Sequence, residues 1–471
     1  MPGLNAQDAS FLALETPDCP MHIGFLLTFK LPPNAPDDYM QRLHERLERH
    51  PVDASPFNLR LAGRPGLRKL KPEWETVNNV DLGYHLRHEA LPWPGGEREL
   101  GLAISRLHSQ ALERSRPLWE CTLIEGLQPR HFALYVKIHH SLADGVAMME
   151  KIYGILADMP GGESLPPWAT PRHAPPAKPV QAADDDWRAF LHDVIGSIGK
   201  PKGAHRPGGQ AIPHGPRCLL NGSTTGRRRF ATQRLPLARV KAIAKAAECT
   251  VNDVLLAVCS GALRSYLSAF DQVPDEPLLA TVPVAVPRAP GQTVGNAVAS
   301  VHTTLASNLA DPVARLAQIH AGMQAAKDEF NRIPSGLTRA INSVGMLAMA
   351  MLPRSGSPDP RHAAFTNLTI SNVPGPKQTL YLDGAEMDGM YPVSVITGDH
   401  RLNITVLSYR DELFVGLIAC PDTLPRMQRV AVALPQALDE LETALQRAAA
   451  KAAAPAPAPA ARRRRTAATP R

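Results

Sequence analysis

Two adjacent histidines, His139 and His140, end a strand-like run and begin the stretch whose residues are best suited to catalysis. Every second residue from Phe132 to Ile138 is apolar, which predicts a strand with one buried face. Histidine titrates near neutral pH, so it can take a proton from a hydroxyl and return it to a leaving group. Residues 139–145 read HHxxxDG and precede an apolar helical pattern. The stretch therefore predicts a general base held at a strand end.

The rest of the chain predicts the strands and helices that would position these histidines. Further strands are predicted at Ile23–Phe29, Leu118–Glu125, Leu278–Val286, Ala297–Leu305, Asn367–Val373, Leu402–Tyr409 and Leu413–Leu417. Helices are predicted at Tyr39–Arg49, 99–114, 146–156, Leu237–Ala247, Val254–Phe270 and Met427–Arg447. Residues 161–216 are rich in proline and glycine without periodicity, which predicts a linker between two lobes.

Composition and charge argue against a nucleic-acid-binding protein. The 471 residues can form two or three domains or two large lobes, and their formal net charge is +7. Residues 451–471 contain six basic residues and no acid, so the body is nearly neutral and lacks a basic domain. Residues 448–471 are low in complexity and are expected to form a disordered basic tail, which could touch anionic lipid.

Cysteine usage and hydropathy predict a cytoplasmic protein. The six cysteines form no CxxC pair and no zinc-type spacing, which fits free thiols in a reducing compartment. We recognise no signal peptide, and the longest apolar run, Val344–Leu352, is too short to cross a bilayer. Any membrane or lipid-inclusion association is therefore expected to be peripheral. The amphipathic segment Trp187–Ile198 could lie at a lipid surface or pack onto the body.

Several motifs occur in an order that resembles the bacterial bifunctional wax ester synthase/acyl-CoA:diacylglycerol acyltransferases, which belong to the chloramphenicol acetyltransferase-like superfamily. In chain order these are FLALE at 11–15, PMH at 20–22, PLW at 117–119, HHxxxDG at 139–145, TVNDV at 250–254, SNVPGP at 371–376 and SY at 408–409. The resemblance implies an α/β fold of two chloramphenicol-acetyltransferase-like lobes, each a mixed sheet with helices. Residues 1–160 would form the lobe that carries HHxxxDG, and residues 217–447 the second lobe.

The resemblance implies transfer of a fatty acyl group from acyl-CoA to a long-chain alcohol, giving a wax ester, or to diacylglycerol, giving triacylglycerol. His140 would be the general base. It would deprotonate the hydroxyl that attacks the thioester and then protonate the CoA thiolate, so no covalent acyl-enzyme is needed. No cofactor or metal is expected, and acyl-CoA is a substrate.

The other motif residues are expected to support His140. His139 would brace the loop or point to the opposite face, because consecutive strand side chains diverge. Asp144 could orient the imidazole as in a catalytic triad. The family precedent is instead a salt bridge between this aspartate and an arginine that holds the loop, and we favour it. Gly145 is expected to permit a sharp entry into the following helix.

Five residues are expected to contact substrate. Trp119 fits a core aromatic, and by resemblance it lies near the acyl channel. Asp253 completes a capping-box spacing, but the resemblance places it, with Asn252, facing the catalytic channel. Asn252 is the candidate donor for the oxyanion. Ser371 and Asn372 belong to the SNVPGP motif and are expected to bind substrate too.

Three alternatives remain open at this point. His139 and Asp144 also satisfy the HxxxxD pattern of glycerol-phosphate acyltransferases, in which His139 would be the base. The same residues with His140 could bind a metal, although adjacent histidines on a strand diverge. A non-catalytic protein that binds lipid surfaces would use the segment 187–198 and the basic tail, but it leaves HHxxxDG unexplained.

Overall fold

Two six-stranded mixed sheets, each with its own hydrophobic core, form the framework of the chain. The computed structural model describes residue 4 and residues 6–62, 72–169, 214–285, 298–331 and 364–453. This architecture confirms the predicted α/β fold of two sheet-containing halves.

Helices and strands alternate along the first half, which carries HHxxxDG. These elements are α1 (Ala6–Leu14), β1 (His22–Lys30), α2 (Tyr39–Glu48), β2 (Leu59–Leu61), β3 (Trp74–Thr76), α3 (Leu82–His85), β4 (Leu86–Ala90), α4 (Glu97–Ser109), β5 (Trp119–Leu127), β6 (His131–His139) and α5 (Gly145–Ile155).

The second half combines a sheet with longer helices. Its elements are β7 (Arg229–Pro236), α6 (Leu237–Ala246), α7 (Val251–Ser268), β8 (Leu279–Ala285), β9 (Val298–Thr304), α8 (Pro312–Asn331), β10 (Leu368–Val373), β11 (Tyr381–Leu382), β12 (Ala385–Val393), β13 (Leu402–Tyr409), β14 (Glu412–Ala419) and α9 (Gln428–Ala453).

The strand that delivers the two histidines lies inside the first sheet. The strand order is β11-β12-β1-β6-β5-β4, so β6 is hydrogen-bonded on both sides. It runs antiparallel to β1, with His139 opposite His22, and antiparallel to β5, with Ile138 opposite Trp119. A central strand of this kind is a rigid support for the loop that follows it.

The sheets do not divide the chain where the sequence predicts. Residues 381–393, within the predicted second lobe, form β11 and β12 of the first sheet. This pairing covers the edge of β1, whose first eight residues are all buried. The first lobe also extends beyond residue 160, because Trp168 is fully buried and its indole N–H donates to His50 O at 3.0 Å. The described residues 161–169 are therefore packed chain and not linker.

The second sheet has two chemically different faces. Its strand order is β7-β14-β13-β10-β8-β9. Alternate residues of β13 and β14, such as Ile404 and Val415, lie in the second core, which the helices cover. The residues between them, such as Leu407 and Phe414, belong to the first core. The second sheet therefore lies between its own helices and the first lobe.

Two predicted helix ends are wrong. Helix α4 ends at Ser109 and not at 114, because the buried Lys137 ammonium donates to the carbonyls of Leu107 and Gln110 at 3.0 Å each. Helix α9 continues to Ala453, so residues 448–453 are not part of a disordered tail. Their alanines are strong helix formers.

Some predictions fall outside the described residues. These are most of the linker (170–213) with its segment 187–198, the apolar run 344–352, and the tail from 454 onward. Among the described helices, no single one is long and apolar enough to cross a bilayer. The pair α6 and α7 passes that test only jointly, and it is bent by 105° at its break.

Candidate active site

Backbone hydrogen bonds fix the histidine pair between two neighbouring strands. The His139 N–H donates to Leu118 O at 2.9 Å, just before β5, and the His140 N–H donates to Met21 O at 2.8 Å, just before β1. The chain therefore cannot rotate at these positions without breaking both bonds. The two side chains leave this fixed backbone in different surroundings.

The His139 imidazole is fully buried and its basic nitrogen is occupied. Its Nδ1 accepts the backbone N–H of Ser141 at 3.1 Å and lies 2.7 Å from the Ser141 hydroxyl oxygen. A nitrogen that accepts an N–H carries no proton, so the ring proton of neutral His139 is on Nε2. That atom lies 3.4 Å from a carboxylate oxygen of Glu15. A substrate hydroxyl could therefore not reach His139, because the ring is fully buried and its unprotonated nitrogen is occupied by Ser141.

The His140 imidazole is half-buried and stacks on an aromatic ring. Its ring lies parallel to that of Phe11, with an interplanar angle of 5° and centroids 4.1 Å apart. Phe11 is itself buried in the first core. His140 is thus the more accessible of the two candidate bases, and one face of its ring is covered by a fixed neighbour.

Glu15 follows α1 and sits among several donors. Its side chain is 8% exposed, and its carboxylate accepts from Arg114 Nε and Nη2 at 2.9 and 2.7 Å and from the Met21 N–H at 3.2 Å. Burial alone would raise the pKa of Glu15, but the contacts with His139, Arg114 and the Met21 N–H together lower this pKa to about 2. Glu15 is therefore an anion at neutral pH.

Asp144 caps the helix that follows the histidine loop. It has an extended backbone at the N-cap of α5, and its Oδ1 accepts the Ala147 N–H at 2.8 Å. Its side chain is 1% exposed. This capping bond gives Asp144 a structural role that we did not predict, although aspartate is a favoured N-cap residue. The predicted salt bridge between Asp144 and an arginine stays a prediction.

The sharp helix entry predicted for Gly145 stays a prediction. Its backbone is not among those in the left-handed region, and a Cβ added there would lie 3.7 Å from Val373 Cγ2, an ordinary contact. Val373 ends β10, so the start of α5 faces the end of a strand of the second sheet. The two halves of the chain meet at Gly145, five residues after His140.

The SNVPGP residues lie at this junction. Ser371 and Asn372 are half-buried and near the end of β10. Ser371 shares the strand face of Val373, which packs in the first core, whereas Ile370 packs in the second core. Ser371 therefore points to the first-lobe side of the second sheet, as a substrate contact would require.

A row of polar residues crosses four strands on this same face. In register, Asn403 lies beside Thr369, Thr369 beside Thr281, and Thr281 beside His302. Thr369, Thr281 and His302 are half-buried. Along β10, Thr369 is two residues from Ser371 and four from Val373, so the row lies on the order of 13 Å from the Val373–Gly145 contact. No sequence motif marks this row; it follows from strand register.

The Asn-Asp pair is divided between two environments. Asp253 is buried, accepts the Thr250 N–H at 2.9 Å, and lies 2.8 Å from Nδ1 of His320 on α8. The structure thus confirms the capping box and gives the Asp253 carboxylate structural partners. Asn252 is half-buried in the first turn of α7. Its contact with an oxyanion stays a prediction.

Trp119 has the packing role expected of a core aromatic. It is fully buried, its indole N–H donates to Phe57 O at 2.8 Å, and its ring stacks on His85 and Trp168. Every polar group of this side chain is therefore satisfied by the protein. Its contact with the acyl chain stays a prediction.

Two further histidines beneath the site were not recognised from sequence. His22 of the PMH motif is buried, with its Nε2 2.8 Å from His108 O, and Nδ1 of His108 lies 2.6 Å from the Tyr135 hydroxyl. Burial lowers the pKa of His22 well below its usual value and that of His108 to about 3. Both are therefore neutral structural groups. Their positions opposite or behind β6 follow from the register of the strands, which cannot be read from the sequence.

The described parts of the chain contain no group of three His, Cys, Asp or Glu residues that could hold a metal ion. Their six cysteines are all free thiols.

The two-lobed fold is of the condensation-domain type. The first condensation domain of the CDA synthetase has this fold, with a TM-score of 0.55 over 94% of this chain and 95% of that one at 14% identity. At this identity the similarity concerns the fold alone.

The chain belongs to the wax ester synthase/diacylglycerol acyltransferase family. The catalytic domain of that family matches residues 4–255, and its C-terminal domain matches residues 294–442. The O-acyltransferase WSD of Acinetobacter baylyi is 37% identical over 454 residues, covering 93% of this chain and 96% of that protein. The wax ester synthase/diacylglycerol acyltransferase of Marinobacter aquaeolei VT8 is 36% identical, with a TM-score of 0.77 over 95% of this chain and all of that one. The protein is an O-acyltransferase.

Substitution of Asp144 tests its capping role. We expect Asp144→Ala to lower the free energy of unfolding by about 1 kcal/mol more than Asp144→Asn, because asparagine is a good N-cap and alanine is not. Urea unfolding of both variants and the wild type would measure the difference. Equal destabilisation by alanine and asparagine would contradict the capping role.

Proposed function

We propose that this chain transfers a fatty acyl group from acyl-CoA to the hydroxyl of a long-chain alcohol or a diacylglycerol, with His140 as the general base. The observation that carries the proposal is the contrast between the two histidines. His139 is fully buried with Nδ1 occupied by Ser141, whereas His140 is half-buried at the loop where the two halves meet. The family match and the names of the relatives support the substrate classes.

The reaction on His140 needs a single base and no covalent intermediate. The Nδ1 atom of His140 is buried, so Nε2 is the nitrogen that takes the proton from the acceptor hydroxyl. The hydroxyl oxygen attacks the thioester carbonyl, and the C–S bond breaks as the tetrahedral intermediate collapses. The imidazolium returns the proton to the CoA thiolate. The ester and free CoA leave with the histidine restored to its neutral form.

The polar row on the second sheet supports CoA as the donor. Within the protein, Thr281 Oγ1 lies 2.9 Å from Thr366 Oγ1 and 3.4 Å from His302 Nδ1, and Thr369 Oγ1 lies 3.4 Å from His400 Nδ1, so the row is a connected polar surface. An alkyl chain gains less from such a surface than a chain that carries polar groups. The pantetheine arm of CoA carries amide and hydroxyl groups that could pair with these side chains. We therefore assign this row, with Ser371 at its end nearest to Gly145, to the pantetheine arm. The acyl chain and the acceptor chain would lie elsewhere around His140.

We also infer that the protein associates peripherally with a lipid surface through Trp93. This side chain is 94% exposed in the turn before α4, and Arg98 nearby is 84% exposed. A tryptophan is favoured at the boundary between water and lipid, because its ring is apolar and its N–H is polar. The substrates proposed here would be found at such a boundary.

Turnover by histidine variants tests the assignment of the base. Purified protein would be given palmitoyl-CoA with hexadecanol, dipalmitoylglycerol or glycerol 3-phosphate, and free CoA would be followed. We expect His140→Ala to lower kcat at least about 10²-fold, the low end of what a general base contributes, without lowering the melting temperature. His139→Ala should lower the melting temperature, because it empties a buried site.

Turnover with glycerol 3-phosphate alone, or loss of turnover in a fully folded His139→Ala with activity retained in His140→Ala, would contradict the proposal. The first outcome would favour the HxxxxD chemistry in which His139 is the base.

Two palmitoyl thioesters that differ in the length of the thiol group test whether the polar row binds the pantetheine arm. We expect Thr369→Val and Ser371→Ala to raise KM for palmitoyl-CoA about 2- to 10-fold each, the loss expected for one hydrogen bond. Palmitoyl-N-acetylcysteamine lacks the distal amide and hydroxyl groups of pantetheine, so its KM should not change in Thr369→Val. Thr232→Val is the matched control, since Thr232 is half-buried on β7, the opposite edge strand. An equal effect of Thr369→Val on both thioesters would exclude a pantetheine contact.

Vesicle binding tests the role of Trp93. We expect Trp93→Ala to reduce cosedimentation with phosphatidylcholine/phosphatidylglycerol vesicles several-fold, at low and at high salt, because the contact is apolar. Val432→Ala is the control, since Val432 is also exposed, at 59%, but lies on α9. Binding that disappears in high salt and is unaffected by Trp93→Ala would point to basic residues instead.

A further inference from the structure

One face of the N-terminal helix reaches both histidines. Phe11 and Glu15 are four residues apart, and the Glu15 N–H donates to Phe11 O at 3.2 Å, so the helical turn continues through Glu15. Residues at this spacing lie on the same side of a helix. Phe11 stacks on His140, and Glu15 lies 3.4 Å from Nε2 of His139.

We propose that Phe11 and Glu15 are positioning residues for acyl transfer. Phe11 fixes the plane of the His140 imidazole, and Glu15 fixes the tautomer of His139 and the backbone on which His140 rests. The proposal depends on His140 being the base, as proposed above. Neither residue needs to touch the reacting atoms.

The contact with Phe11 restricts the motion that matters for proton transfer. A histidine ring at a loop can rotate broadly about its last torsion. A parallel ring 4.1 Å away permits one plane, and Phe11 cannot yield because it is 5% exposed and packed in the first core. A base that is held in plane keeps its nitrogen directed at the hydroxyl, and small misplacements cost large factors in rate.

Glu15 connects the side chain of one histidine to the backbone of the other. Its Oε1 is near His139 and also accepts the Met21 N–H at 3.2 Å, while Met21 O accepts the His140 N–H at 2.8 Å. Arg114 holds the other oxygen at 2.7 Å and donates to Leu12 O at 2.8 Å, which ties the carboxylate to α1. With Glu15 ionised, the Nε2–H tautomer of His139 is the favourable one, and this leaves Nδ1 for Ser141.

Ring-removing and ring-keeping variants test the role of Phe11. With palmitoyl-CoA and hexadecanol, we expect Phe11→Leu to lower kcat about 10- to 100-fold with little change in either KM, as for other losses of groups that orient an active residue. Phe11→Tyr keeps the ring and should retain most of kcat. Leu14→Ala, in the same helix and core, is the control for stability: its melting temperature should fall, but kcat per folded molecule should not.

Glu15→Gln tests the second contact. We expect kcat to fall about 10-fold at constant KM, because the amide lacks the charge that fixes Arg114 and His139. Ala13→Gln is the matched control, since Ala13 is exposed on the same helix. Its kinetics should equal those of the wild type.

A chemical probe separates this proposal from the proposed function. Diethyl pyrocarbonate acylates accessible neutral imidazoles, and the modified histidines can be mapped by mass spectrometry without any substrate. We expect His140 to react several-fold faster in Phe11→Leu than in the wild type, because a covered ring face becomes exposed, and the fully buried His139 to stay unreactive in both. A wild type inactive with every substrate pair, but with these reactivities, would overturn only the acyl-transfer proposal. Unchanged reactivity and unchanged kcat in Phe11→Leu, or a Phe11→Tyr as impaired as Phe11→Leu, would overturn the positioning role.

Discussion

The site depends on two backbone hydrogen bonds, from His139 to Leu118 and from His140 to Met21. They hold adjacent residues against neighbouring strands on opposite sides of β6, so the peptide between the histidines is fixed. Adjacent side chains on such a backbone must diverge. One imidazole is therefore buried and hydrogen-bonded to Ser141, while the other remains half-buried and accessible. The two histidines therefore differ in position and surroundings and not in residue type.

The strands β11 and β12 come from the second half of the chain but pair in the first sheet, and this pairing joins the histidine loop to the second half. With β12 paired to β1, the second sheet lies against the first lobe so closely that a Cβ at Gly416 would be 1.7 Å from Pro392 O. Glycine at 416 is thus required by the close approach of two backbones. The same packing carries the end of β10 to Gly145. Strand pairing between the two halves therefore determines how the second sheet packs on the first lobe.

Sequence patterns predicted the strands that carry the motifs, because apolar alternation is local, and the motif order identified the family. Partners far apart in sequence were not predictable. Residues 385–393 pair with β1, and helix α4 ends early where Lys137 binds its carbonyls. Both features depend on tertiary contacts that no local pattern encodes. The contact between Gly145 and Val373 was not predictable for the same reason, since the two residues lie in different halves of the chain. The FLALE motif was visible, but its contacts with the histidines depend on how α1 packs.

The open part of the second sheet limits where the proposed substrates can lie. Where β13 and β14 face the first lobe, Leu407, Phe414 and Ile418 are buried in its core, and that part of the face is closed. The part over β8, β9 and β10 carries the half-buried polar residues Thr281, His302, Thr369 and Ser371. An alkyl chain would gain less from this polar row than the amide-bearing arm proposed above. The two fatty chains would then approach His140 from the first lobe. On this arrangement the polar arm and the fatty chains reach the base from different lobes, and the His140 ring, stacked on a Phe11 side chain that is itself buried, lies where the two approaches meet.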